Sequence, residues 1–134
     1  MAKSKFPPLL HLSYVLQHSA EEMLETEAGV GLSAARIMSV LDKSTATSQR
    51  VVAMELRQTE SNVSRQLQSM KKQGLVSIIR NKKDSRQRDV TLTAKGSKKY
   101  QDASKVLKKQ QKQILKILNA GESAAIELAA QKLA

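Results

Sequence analysis

The chain has 134 residues, a formal net charge of +11, and a composition that is 40% hydrophobic but only 2% aromatic, which suits one domain built mainly from packed helices rather than a β-sandwich. It contains no cysteine, which excludes disulfides, thiolate metal sites, cysteine nucleophiles and thiol-based oxidant sensing. It has neither an apolar run long enough to span a bilayer nor a leader-like apolar stretch with a small-residue cleavage site, so the expectation is a soluble, cytoplasmic protein with no membrane partner.

Pro7 and Pro8 open a helical pattern in which Leu9, Leu12, Leu16, Ala20 and Met23 return at three- and four-residue steps, ending at Gly29 and Gly31. Ser33 is positioned to cap a second helix, SAARIMSVLD, with Ile37, Val40 and Leu41 on its buried side. After the polar interval KSTATS comes a third helix, QRVVAMELR, with Val52 or Ala53 and Leu56 inward. A fourth runs from near Thr59 to Lys72 and breaks at Gly74. Only RQT separates the third and fourth helices, the spacing of a helix-turn-helix.

The period then falls to two. Val76, Ile78 and Arg80 alternate with Leu75, Ser77 and Ile79, and Arg88, Val90 and Leu92 alternate with Asp89, Thr91 and Thr93, which predicts a β-hairpin with a charged loop. Thr93 is a suitable cap for a long helix reaching Gly121, and ESAAIELAAQKLA follows as a terminal helix. The fold class is therefore mainly α with a small β-hairpin wing.

Charge is concentrated in the middle: residues 1–42 carry a net −2, residues 43–112 a net +13 and residues 113–134 none. A polyanion is the partner this implies. Motifs for catalysis are missing: there is no Gly-rich phosphate loop, GxSxG, HExxH or Walker pattern, and the chain is not expected to be an enzyme or to need a cofactor. His11 and His18 are the only histidines and share a helix face with Tyr14, Glu22 and Glu25. That arrangement can be drawn as a metal or ligand site, or as the solvated stripe opposite Leu9, Leu12 and Leu16. The sequence names no further ligands, so no metal site is assigned.

With Val63, Leu67 and Met70 as its buried stripe, the fourth helix presents Ser61, Asn62, Arg65, Gln68, Ser69 and Lys72 on the other side. Such side chains read base edges in a major groove: Asn and Gln pair with adenine, Arg with guanine, Ser with either. The hairpin that follows puts Lys82, Lys83, Arg86 and Arg88 within reach of phosphates and the adjoining minor groove. Asp84 and Asp89 would repel phosphate if free, so each is expected to pair with a nearby arginine and hold the loop in shape. An ordinary polar helix and a solvated turn that protects a sheet edge are the plainer alternatives.

The run SNVSRQLQSMKKQGLVSIIRNKKDSRQRDVTLTAKG, with GLSAARIMSVL upstream, resembles the winged helix-turn-helix of the MarR family of transcription regulators. The matching pieces are SNVSR, MKKQGLV, DSR and LTAKG, and order and spacing agree from about residue 9 to the end. The resemblance implies one domain over 1–134, with residues 1–32 and 100–134 as dimerisation helices and 33–99 as the DNA-binding lobe. It implies a homodimer on a pseudo-palindromic double-stranded DNA operator, with Ser61, Asn62, Ser64 and Arg65 at base or phosphate contacts. In the Asp-x-Arg of the wing, Asp84 structures the loop and Arg86 enters the minor groove. It further implies release of DNA by a small aromatic ligand in a cleft for which His11, Tyr14 and His18 are candidate lining residues. Asn81 and Glu60 depart from the family pattern, where an acid and a basic residue respectively are common; Glu60 bears on the phosphate contacts at the helix start.

A dimer is also expected from the residues themselves. Leu9, Leu10, Leu12, Val15 and Leu16 near one end, with Val106, Leu107, Ile114, Leu115, Ile117, Leu118, Ile126, Leu128 and Leu133 near the other, exceed what a small winged module covers. The expected function is thus a DNA-binding transcription repressor. The rival is an architectural or RNA-binding protein that uses the same charge without sequence preference.

Overall fold

The computed structural model describes residues 5–42 and 45–134; Lys43 and Ser44 of the KSTATS interval lie outside them. In chain order the elements are α1 (Pro8–Glu27), α2 (Leu32–Leu41), β1 (Thr47–Ser48), α3 (Gln49–Leu56), α4 (Glu60–Lys72), β2 (Val76–Arg80), β3 (Arg88–Leu92), α5 (Ala94–Leu115) and α6 (Ala120–Leu133). No helix among the described residues is long and apolar enough to cross a membrane.

The core gathers around Leu24, Ile37, Met38, Val52, Val63, Leu67, Met70 and Val90, all essentially inaccessible. It is aliphatic and methionine-rich, and one side of it is covered by α5 through Ala103 and Val106. Burying these groups contributes roughly 1.5–3 kcal/mol for each large side chain. The predicted inner residues of α2, α3 and α4 face the core, Val40 and Leu56 being only partly buried, and Ala35 and Met38 join the stripe of α2. In α1 the apolar stripe divides: Ala20 and Leu24 are buried, whereas Leu9 is 69% exposed.

Helix boundaries depart from the sequence reading at two places. The second helix starts at Leu32 with Gly31 as its N-cap, and Ser33 makes no cap. The Glu21 carboxylate of α1 accepts from the Leu32 N–H at 2.9 Å, so a carboxylate from a neighbouring helix does the work expected of a local hydroxyl. The long helix ends at Leu115, not at Gly121. Asn119 and Glu122 form a reciprocal capping box, and this hydrogen-bonded start places Gly121 inside the first turn of α6. Gly29, at φ +64°, does end α1 as expected, and Lys99 Nζ donates to the Ala28 carbonyl beyond it at 3.0 Å.

The hairpin is part of a three-stranded antiparallel sheet ordered β1-β3-β2, not a lone pair of strands. Thr47 and Ser48 pair with Val90 and Asp89, while β2 and β3 run from Val76 opposite Leu92 to Arg80 opposite Arg88. Where the sheet meets α5, Thr93 Oγ1 donates to the Gly74 carbonyl at 2.6 Å and accepts from the Gly96 N–H at 3.0 Å. Gly96 packs so closely that a Cβ there would stand 2.0 Å from the Leu75 carbonyl oxygen. Only a residue without a side chain fits there between α5 and the Leu75 backbone.

Candidate nucleic-acid interface

Three residues turn α3 into α4. Arg57 takes the left-handed conformation (φ 54°, ψ 44°), Gln58 N–H reaches back to the Ala53 carbonyl at 3.0 Å, and Thr59 Oγ1 accepts from the Asn62 N–H at 3.1 Å. A non-glycine residue at positive φ costs roughly 1–2 kcal/mol, and it sets the crossing of the two helices. Val63 and Leu67 seat α4 on the core with no exposed surface. Ser61, Arg65, Gln68, Ser69 and Lys72 are consequently exposed along its outer side, whereas Asn62 and Ser64 are half-buried on its flanks.

Two of these side chains have partners within the chain. Ser69 Oγ accepts from Gln73 Nε2 at 3.3 Å. Asn62 Nδ2 donates to Gln58 Oε1 at 2.9 Å, and Gln66 Nε2 donates to the same oxygen at 2.9 Å. Gln58 and Gln66 did not stand out in the sequence, because a hydrogen bond across the turn leaves no periodic signal.

The wing is ordered by its polar side chains. Asn81 Oδ1 accepts from the N–H groups of Lys83 and Asp84 at 2.8 and 2.9 Å, and its Nδ2 donates to Asp89 at 2.8 Å. Gln87 Nε2 donates to the other Asp89 oxygen at 2.8 Å. Asp89 is therefore held by two amides, which corrects the expected arginine pairing: the strand register sets Asn81 beside it and leaves Arg88 on the opposite face of β3, its Nη1 donating to the Ser85 carbonyl at 3.0 Å. Asp84 does pair with Arg86, accepting from its N–H at 3.0 Å and lying 3.6 Å from its Nε. The Arg86 side chain is 93% exposed, and Lys82 and Lys83 are also exposed.

Wing and helix meet at a polar groove of about 390 Å³, where Asp84, Arg86, Gln87 and Arg88 face Glu60 at the start of α4 and Ser48, Gln49 and Arg50 at the start of α3. Arg50 joins the basic cluster only through this packing. Arg80 stands directly across the ladder from Arg88, an unfavourable opposition of like charges.

On α1 the rings of Tyr14 and His18 lie near-parallel with centroids 6.0 Å apart, and His18 Nε2 is 3.3 Å from Glu22 on the solvent side. Tyr14 and His18 line a cleft of about 430 Å³ together with Glu21, Arg36 and Gln58, and His11 is not part of its lining. A second cleft, of about 420 Å³, lies between α1, α2 and α5 and includes Arg36, Tyr100 and Lys108. Among the described residues no group of three or more His, Asp or Glu side chains is placed to hold a metal ion.

A helix-turn-helix followed by a sheet hairpin and enclosed by long helices defines the winged-helix class. Residues 28–87, from the end of α1 to the wing, match the model of the MarR family. Similar solved structures extend the likeness to nearly the whole chain. The MepR–DNA complex of S. aureus is 16% identical, covering 98% of this chain and 97% of that one, with a TM-score of 0.82. Wild-type MarR of E. coli in its apo form is 18% identical over 98% of each chain, at 0.83. PcaV of Streptomyces coelicolor, in complex with its natural ligand, is 19% identical over 99% of this chain and 96% of that one, at 0.79. No curated protein sequence matches the chain.

Proposed function

We propose that this chain is a sequence-specific double-stranded DNA-binding transcription regulator, acting in the cytoplasm as a homodimeric repressor. The observation that carries the reading is the exposed polar side of α4 set beside a basic, internally braced wing across one groove. A helix of this width fits a major groove, and the wing then lies along the backbone and the neighbouring minor groove. Ser61, Asn62, Ser64, Arg65, Gln68 and Ser69 face the bases or their phosphates, Lys82, Lys83 and Arg88 hold backbone, Arg86 enters the minor groove, and Asp84 keeps the wing in shape. The structural likeness to MepR, which was solved with DNA, supports the same reading.

The dimer is supported by apolar surface at both ends of the chain. Leu9, Leu10, Tyr14 and Val15 of α1 and Leu128 and Leu133 of α6 are exposed, Ile117 is 85% exposed, and α6 buries no residue. Residues 1–32 and 100–134 together form the proposed dimer helices, and residues 33–99 the DNA-binding lobe. Repression follows from occupying a promoter. A small aromatic ligand in the cleft beside Tyr14 and His18 would release the operator by favouring a lobe spacing that misses two grooves about 34 Å apart.

Selecting bound duplexes from genomic fragments tests the reading. A pseudo-palindromic site bound roughly a thousandfold or more tighter than random duplex is expected. Equal affinity for all duplexes, or for RNA, would replace it with a non-specific architectural protein.

A further inference from the structure

Asn62 lies on the flank of α4, at about 100° per residue from the buried stripe, and its amide is held by a chain of two glutamines. The Asn62 backbone carbonyl can only accept, and Gln66 Nε2 lies 3.4 Å from it. The same nitrogen donates to Gln58 Oε1 at 2.9 Å, so Gln58 presents its oxygen to the helix. That oxygen also takes the Asn62 Nδ2 hydrogen at 2.9 Å. Turning the Asn62 amide over would set its Oδ1 against Gln58 Oε1, two acceptors in contact. Gln66 Oε1 is buried and has no hydrogen-bond partner among the described residues.

We propose that Gln58 is a specificity-determining positioning residue: by tying down the Asn62 nitrogen it makes Asn62 meet the base edge with its oxygen, selecting adenine or cytosine over guanine or thymine at one position of each half-site. The chemistry follows from the major groove, where adenine and cytosine offer an exocyclic amine donor while guanine and thymine offer carbonyl acceptors. Gln58 acts through Asn62 and Gln66, and it lies in the short turn rather than on the reading helix. The proposal rests on the reading of this chain as a sequence-specific DNA-binding protein.

The test is selection of bound duplexes from a randomised pool by the full chain, with thermal melting of each variant alongside. Wild type is expected to favour amino over keto bases about fivefold or more at one position per half-site, and Asn62→Ala identifies that position by erasing its preference. Gln58→Leu should bring the ratio there close to one and leave the other positions selective. Gln58→Glu, whose oxygens can only accept, should keep the preference. If Gln58→Leu does not fold, Gln66→Met carries the same expectation, because it frees Gln58 to turn over. Retained preference in Gln58→Leu or Gln66→Met overturns the proposal, as does uniform loss at every position in both Gln58 variants. A wild type with no base preference anywhere overturns instead the regulator reading beneath it.

Discussion

Arg65 and Lys82 occupy different kinds of position, and their substitution should separate base reading from charge. Arg65 is exposed on the outer side of α4, so Arg65→Ala is expected to cost about 1–3 kcal/mol on the operator and to relax base preference. An unchanged operator-to-random ratio in a competition assay would remove it from the bases. Lys82→Ala should weaken all duplexes alike and lower the slope of log affinity against log salt by about one, which titrations at several salt concentrations would read. Gly96 belongs to the fold instead. A methyl group there meets the Leu75 carbonyl at 2.0 Å, so Gly96→Ala is expected to destabilise by about 3 kcal/mol in urea unfolding. The polar set on α4 was legible from spacing alone, since the positions of Val63, Leu67 and Met70 settle which side is left outside. Gln58 and Gln66 were not legible, because their partners lie across a turn and amide orientation has no counterpart in residue spacing.

Among the elements, the wing depends most on one side chain. Asn81 holds two backbone N–H groups and Asp89 at once, although in sequence it is only a departure from a frequent acid. Asn81→Ala should cost the global fold no more than about 1 kcal/mol, because the wing tip buries little. It should nevertheless weaken DNA binding by loosening the loop that carries Lys82, Lys83 and Arg86. Unaltered hydrogen exchange across residues 81–87 in that variant would refute the bracing role. The helices were readable because their apolar periods and caps are local, as Thr59 and Thr93 illustrate. Two ends were misread, at Ser33 and Gly121, since the competing caps come from Glu21 on another helix and from a reciprocal pair three residues apart. The β1 strand is two residues long and leaves no alternation to detect; its pairing with β3 is a tertiary event.

At the scale of the molecule, the exposed apolar residues of α1 and α6 set the expectation of two subunits. Leu128 is 55% exposed on a helix without a buried residue, and Leu128→Asp should shift the subunit equilibrium toward monomer in sedimentation at micromolar concentration and weaken operator binding with it. A dimer undisturbed by this substitution would place the contact elsewhere. The helical class, the winged lobe, the inner faces of its helices and the middle placement of positive charge are legible in the residues alone, because local period and composition carry them. Packing in three dimensions sets which cations gather at one groove, which amides hold Asn62, how closely α5 meets the sheet at Gly96 and how much of α1 and α6 remains uncovered. Those depend on hydrogen bonds and close contacts across turns and between elements, whose geometry exists only once the core has packed.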